Sequence, residues 1–176
     1  VVQILELAGL RKNSAATVRE RVVIPDLLRE TVAATAQETR AARCEVCLDL
    51  SSDLPAAVGD APALRRVFQN LITNAAKHGG QGGWIGISGA RIAPNGAALI
   101  EIRVADRGPG IPQAELPRLF EPFFRGAAAQ ARQIRGAGLG LSLVKEIVEA
   151  HGGTVSVENN PGGGAVFVVR LPAAEE

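Results

Sequence analysis

The stretch Ala98-Leu99-Ile100-Glu101-Ile102-Arg103-Val104-Ala105-Asp106-Arg107-Gly108-Pro109-Gly110 sets the fold and points to the chemistry. Up to Ala105, apolar and polar residues alternate with the period of a strand. A carboxylate then closes the strand, followed by glycines at 108 and 110. A carboxylate so placed can accept a hydrogen bond from an exocyclic amino group such as adenine's, and the glycines let a flat base lie close to backbone. Such a charged hydrogen bond is worth roughly 1.5–3 kcal/mol, enough to discriminate against guanine, which presents a carbonyl there. By itself the segment is equally well an Asp-Gly turn with no ligand.

Upstream, Trp84 to Ile92 is a second strand, joined to the first by the hairpin turn Pro94-Asn95-Gly96. Before it, Asp60 is an N-cap for a helix through Leu64, Val67, Phe68, Leu71, Ile72 and Ala75, stopping at Gly79-Gly80. Asn70, Asn74 and Lys77 fall at steps of four and three on one edge of that helix, away from its apolar residues. An Asn carbonyl can ligate Mg²⁺ without adding negative charge beside a triphosphate, and Lys77 can neutralise phosphate. A polar helix face would show the same residues.

Downstream, a short helix is expected over about Gln113 to Phe120, and Phe120, Phe123 and Phe124 make up three of the five phenylalanines. Core packing is the default for such a cluster, whereas Arg125 at its end can reach a terminal phosphate or lie on the surface. Residues 126–135 carry Ala, Gln, Arg and Gly without a face, and read as a mobile loop or a solvated short helix. Gly136-Ala137-Gly138-Leu139-Gly140-Leu141-Ser142 then runs straight into a helix to Ala150, so free amides and the positive helix end converge where anionic phosphate would bind. The G-x-G-x-G spacing is neither a dinucleotide fingerprint nor a G-x-x-x-x-G-K-[ST] loop. The helix closes at Gly152-Gly153, and Thr154–Glu158 and Ala165–Leu171 form a hairpin.

The first residues, 1–12, hold Val1, Ile4, Leu5 and Ala8 on one helical stripe that looks like the cut end of a longer helix. Glu20 to Ile24 is strand-like, Pro25-Asp26 opens a helix to about Arg43, 44–50 is a strand, and 51–59 is a proline-bearing loop. Hairpin-joined strands with single interspersed helices give an α/β (α+β) two-layer sandwich, with a mixed, mainly antiparallel sheet covered by helices on one face. Cys44 and Cys47 sit three apart on a strand and so point to opposite faces, which favours two unrelated thiols over zinc or redox chemistry.

A net charge of +1 with no basic block gives no footprint for nucleic acid. No apolar run approaches the ~18 residues of a membrane span, and Val1-Val2-Gln3-Ile4 is not a signal peptide start. The expectation is a soluble, cytoplasmic chain without membrane contact of its own.

The four segments together, in this order, resemble the N, G1, F and G2 boxes of the ATP-binding catalytic domain of bacterial two-component sensor histidine kinases, in the gyrase-type (Bergerat) ATPase superfamily. The likeness covers residues 20–173, with 1–19 as the end of a dimerisation hairpin and its linker and 20–176 as the catalytic domain. It implies ATP and Mg²⁺ as ligands. Asn74 would ligate the metal, Asn70 and Lys77 would face the phosphates, and Asp106 would hold the adenine amino group. Gly108, Gly110 and Ile111 would shape the base pocket, and Phe124 and Arg125 would border the nucleotide, with Arg125 nearing the γ-phosphate. Gly136, Gly138, Leu139, Gly140 and Leu141 would bind phosphate as a lid closes. Asn70, Lys77 and Arg125 are the implied catalytic residues. His78 stands where the family often has Tyr, and either contacts the nucleotide or faces solvent. His151, at a helix C-terminus, favours a structural role.

The family's phosphoacceptor histidine, in an H-[ED] context on a separate dimerisation domain, has no counterpart here. The resemblance therefore implies a fragment that binds ATP and acts on a histidine-bearing partner domain, with a downstream response regulator in the phosphorelay. It also implies a full-length homodimer compatible with anchoring in the inner membrane. The rivals are a nucleotide-gated module without catalysis (a pseudokinase) and a gyrase-type ATPase. ATPase relatives place Glu where Asn70 stands, because attacking water needs a base while a neutral imidazole already has a lone pair.

Overall fold

The computed structural model describes residues 19–79, 82–131 and 138–174. Two short strands, β1 (Glu20–Val22) and β3 (Ala57–Gly59), pair antiparallel beside a five-stranded sheet. The large sheet comprises β2 (Glu45–Leu50), β4 (Trp84–Ile92), β5 (Leu99–Asp106), β6 (Thr154–Asn159) and β7 (Ala165–Pro172), in the order β2-β4-β5-β7-β6. The β2–β4 pair is parallel and every other neighbour is antiparallel, the mixed sheet expected from the hairpin-rich sequence.

Register fixes which side chains meet the helices. Ile87 lies opposite Val104 and Ile85 opposite Asp106, while Ile100, Ile102 and Val104 lie opposite Leu171, Val169 and Phe167. The apolar residues of these pairs are buried and form one face with period two. Asp106 occupies the next step of the same row, so its carboxylate enters the helix side of the sheet at the end of a hydrophobic file. On the helix side lie α1 (Ile24–Ala34), α2 (Ala36–Ala41), α3 (Ala61–Gly79) and α5 (Gly140–Ala150). Leu64, Val67, Phe68, Leu71 and Ile72 of α3 and Val144, Ile147 and Val148 of α5 complete the core. The opposite face is open and carries the ion pairs Arg103–Glu101, Arg103–Glu158 and Arg170–Glu101.

Local departures from the expected elements have identifiable causes. The helix expected from 25 to 43 breaks at Thr35 (φ −97°, ψ 8°), where Thr31 and Thr35 hydroxyls donate to the Leu27 and Thr31 carbonyls at 2.6 and 2.9 Å. Such back-bonding bends helices. The strand expected to reach Ile24 ends at Val22, because Pro25 suits the first turn of a helix. The loop expected over 51–59 holds β3, which is tied to the chain end by the Ala57–Ala173 bridge and by Ala174 N–H donating to the Ala56 carbonyl at 2.7 Å. Instead of a helix over 113–120 there is one 3₁₀ turn, Leu116–Arg118, with Pro117 lacking an amide to extend it. Within the expected loop at 126–135, α4 (Ala127–Ala131) is a short helix, and residues 132–137 lie outside the described residues.

Asp60 does cap α3, its carboxylate accepting the Ala63 N–H at 3.0 Å. Gly152 (φ 72°) and Gly153 close α5, the Gly153 N–H reaching the Val148 carbonyl at 2.9 Å. Cys44 is buried on the helix side, whereas Cys47 lies opposite Gly86 and lines a groove on the open face, so the two thiols do point apart. None of the described helices is long and apolar enough to cross a membrane.

Candidate functional site

One end of the site is built around Asp106, which is 5% exposed. Its Oδ1 accepts the Gly108 N–H at 2.8 Å and the Ala165 N–H at 3.3 Å. Glycines make room for it. A Cβ on Gly79 would fall 2.3 Å from the Asp106 Cβ, and one on Gly164 would fall 1.9 Å from the Asp106 carbonyl oxygen. A Cβ on Gly108 would fall 2.7 Å from the Gly79 Cα, so the end of α3 and the turn after β5 touch backbone to backbone. Cys44 lies near enough for burial, and then the Asp106 charge, to raise its thiol pKa above the usual value.

The turn after Asp106 is locked by Asn159. Its Oδ1 accepts the Ile111 N–H at 2.8 Å and its Nδ2 donates to the Ile111 carbonyl at 2.7 Å, so one side chain mimics a strand neighbour. Gly110 (φ 76°) lies beside it. Arg107 stacks its guanidinium 4.3 Å over the Trp84 ring.

The other end joins α3 to α5. Asn70 donates its Nδ2 to the Arg66 carbonyl at 2.9 Å, which holds its Oδ1 toward the start of α5, where a Cβ on Gly140 would lie 3.0 Å from it. Asn74 follows one turn on and is half-buried, while Lys77 is exposed and His78 half-buried. Leu139 is buried and caps α5, and Leu141 is half-buried within its first turn.

The phenylalanine segment divides by role. Phe120 packs edge-on against Phe167 of the core at 6.3 Å, and Phe124 lies beneath the Arg118 guanidinium at 4.6 Å. Phe123 is 65% exposed with φ 64°, and its N–H donates to the Gly138 carbonyl at 2.9 Å. Gly138 (φ 72°) leaves no room for a side chain, since a Cβ would lie 2.7 Å from the Phe124 carbonyl. Arg125 is half-buried and its carbonyl accepts from Gln130 at 2.8 Å. Glu115 receives the Ala127 N–H at 3.0 Å and so ties α4 down.

The four segments read from the sequence thus meet pairwise: the α3 end with the Asp106 turn, Asn70 with Gly140, and Phe123 with Gly138. Gly136 lies outside the described residues. Sequence reasoning did not find Asn159, Gly164, Gly79 or Glu115. The Asn159-Asn160-Pro161-Gly162 run sits in the turn of the hairpin expected between 154–158 and 165–171, and the partner of Asn159 is 48 residues away.

Residues 59–175 match the family described as histidine kinase-, DNA gyrase B-, and HSP90-like ATPase. SenX3, a sensor-like histidine kinase of Mycobacterium tuberculosis, is 35% identical over 176 residues, covering all of this chain and 42% of SenX3. AfsQ2, a signal transduction histidine-protein kinase of Streptomyces coelicolor, is 37% identical over 172 residues, 98% of this chain and 30% of AfsQ2. The chain therefore spans less than half of either protein. Among solved structures, the ATP-binding domain of PrrB from M. tuberculosis superposes with a TM-score of 0.69 at 34% identity, covering 89% of this chain and 98% of that one. ShkA in complex with AMPPNP superposes with a TM-score of 0.82 at 29% identity over 99% of this chain and 35% of that one. The mixed sheet with its helices on one side is the fold of histidine kinase catalytic domains, and the chain belongs to the histidine kinase-, DNA gyrase B- and HSP90-like ATPase family.

Proposed function

We propose that this chain is the ATP-binding catalytic domain of a sensor histidine kinase, transferring the γ-phosphoryl group of Mg-ATP to a histidine on a dimerisation domain. The observation that carries the proposal is that α3 meets both other segments, the α5 N-terminus at Asn70 and the Asp106 turn at Gly79. That arrangement would offer a carboxylate for adenine's amino group at one end. At the other it offers helix amides and an amide oxygen for phosphates. Asp106, held by Gly108 and Ala165, would select the base, with Gly108, Gly110 and Ile111 as its floor. Gly136, Gly138, Leu139, Gly140 and Leu141 would receive phosphate, with Lys77, His78, Phe124 and Arg125 bordering it.

Asn70, with its Oδ1 beside Gly140, and Asn74, one turn on along α3, would offer neutral oxygens at the phosphate end, and no group of three His, Cys, Asp or Glu among the described residues forms a metal cage. That set fits a divalent cation arriving with substrate phosphates and keeping some of its waters, with Asn74 as protein ligand. Magnesium would there neutralise charge on the β- and γ-phosphate oxygens. In the transfer, a lone pair of the acceptor imidazole attacks the γ-phosphorus. The bond to the bridging oxygen breaks, ADP leaves with that electron pair, and the ring sheds its N–H proton. Asn70 supplies no base, and none is needed for a neutral imidazole.

The acceptor domain, a response regulator, a homodimeric full-length protein and any membrane anchor belong to the same proposal. So does the assignment of residues 1–19 to the dimerisation hairpin, which apart from Arg19 lies outside the described residues. Mixing this chain with the histidine-bearing hairpin of its own full-length protein and labelled ATP tests it. Acid-labile phosphate on the hairpin is expected, and Asn70→Glu should retain ATP binding. Binding without transfer would instead support a nucleotide-gated module, and rapid turnover by the chain alone would support an ATPase.

A further inference from the structure

The helix that begins beside Asn70 finishes at His151, and this ring is bonded on both nitrogens. Nδ1 lies 2.7 Å from the Ile147 carbonyl oxygen, which can only accept, so Nδ1 carries the hydrogen. Nε2 therefore holds the lone pair, and it accepts the Asp60 N–H at 3.0 Å. The two bonds define one neutral tautomer. Asp60 is the N-cap of α3: its carboxylate takes the Ala63 N–H at 3.0 Å and its carbonyl takes the Leu64 N–H at 2.9 Å. The Cδ2–Nε2 edge of the imidazole also abuts Gly59, where a Cβ would fall 2.5 Å from His151 Cδ2 and 2.8 Å from Nε2.

Helices α3 and α5 are antiparallel neighbours, since the start of α5 meets Asn70 while its end meets Asp60. From Asp60 to Asn70, α3 rises about 15 Å, and from Gly140 to His151, α5 rises about 16 Å, so the two ties span matched lengths. His151 fixes the far end of that frame. The adenine end is held separately, through the Gly79, Gly108 and Asp106 contacts and the Asn159 clamp.

We infer that His151 is a positioning residue for phosphoryl transfer: by accepting the Asp60 N–H it sets the register of α5 on α3, and so the distance between the phosphate-facing amides at Leu139 and Gly140 and the metal-facing edge at Asn70 and Asn74. The inference rests on the function proposed above. It makes the effect of losing the ring asymmetric, because the triphosphate end loosens while the adenine end stays.

His151→Phe keeps a flat ring and removes both bonds. His151→Gln carries its Oε1 at a reach comparable to Nε2 and can accept the Asp60 N–H again. His151→Asn keeps a donor near Ile147 but is too short to reach Asp60. Mg-ATP affinity is measured by calorimetry and adenosine affinity by NMR titration, at a temperature where each variant is folded by circular dichroism. His151→Phe is expected to weaken Mg-ATP about tenfold, the scale of a small misplacement of positioning groups, while adenosine affinity stays at the wild-type value. His151→Gln should restore most of the loss and His151→Asn should not, so the test survives if the Phe variant fails to fold. Parallel losses of both ligands, no loss of either, or failure of Gln to restore would each overturn the role. A wild-type chain that takes up neither ligand removes the proposed function itself, and with it this role for His151.

Discussion

Replacing Asp106 by Asn separates binding from folding at a single side chain. In the native chain Oδ1 takes two backbone amides, those of Gly108 and Ala165, while the side chain is 5% exposed at the end of the core row. An Asn amide keeps one oxygen, and that oxygen can go on accepting both N–H groups. Only the charge-assisted part of those bonds is lost, a cost of about 1 kcal/mol. The second position changes from acceptor to NH₂ donor and would face adenine's own amino group. Loss of a charged hydrogen bond of roughly 1.5–3 kcal/mol then becomes a weakening of ATP binding by about ten- to a hundredfold. Guanine presents a carbonyl at the same place, so the preference for ATP over GTP should narrow or invert. Calorimetric titration with both nucleotides, beside a thermal melt, measures the two effects independently. Unchanged ATP affinity in a folded variant would refute the assignment of the base to Asp106. By contrast, Asp106→Ala strands the buried Ala165 N–H, at about 1–3 kcal/mol, and the half-buried Gly108 N–H, and should lower stability as well.

Gly164→Ala combines φ 89° with a Cβ 1.9 Å from the Asp106 carbonyl oxygen, and should cost about 2–5 kcal/mol in strain and overpacking, seen as a lowered melting temperature. Asn159→Ala frees the Ile111 backbone without opening the core; a several-fold rise in the dissociation constant for ATP is expected with a change in stability of only about 1–2 kcal/mol, and equal affinities would show that the turn holds its shape unaided. Native thiol titration at pH 8 should show one reactive group, removed by Cys47→Ser, because burial and the Asp106 charge keep Cys44 protonated. With its folded value raised, Cys44 contributes stability that is present below the unfolded thiol pKa and lost as pH rises through the folded one, so alkaline denaturation should shift upward in Cys44→Ala if packing is otherwise maintained.

The placing of Asp106 at the end of a buried strand was legible because its signal is local: alternation up to Ala105, then Asp106 and two glycines within four residues. Asn70 and the glycines at 138 and 140 were legible for the same reason, Asn70 by its four- and three-residue steps to Asn74 and Lys77 on one helix edge and the glycines by preceding a periodic helix. That Asn70 and Gly140 face each other was not, since it depends on how α5 crosses α3. Asn159 escaped notice because an asparagine before Asn160-Pro161-Gly162 is fully accounted for as a turn residue, and its second use depends on a tertiary neighbour. The three-residue strand β3 could not be read from its own residues, as a strand that short has too few alternations to reveal a period and exists by pairing with β1. His151 was legible as structural, at a helix end before two glycines, but nothing near it in the chain names Asp60 as its partner. The break at Thr35 follows from a choice the sequence leaves open, because a threonine hydroxyl can bond either to solvent or back to the helix carbonyls.

The stacking of Arg107 on Trp84 has a practical side. The chain contains a single tryptophan and no tyrosine, so its ultraviolet emission comes from one indole. That indole lies against the guanidinium of the residue directly after Asp106, 4.3 Å from its ring centre. Any shift of the Arg107 backbone on ligand uptake alters the charge over the chromophore, which makes the protein its own optical gauge of occupancy, with no dye or label attached.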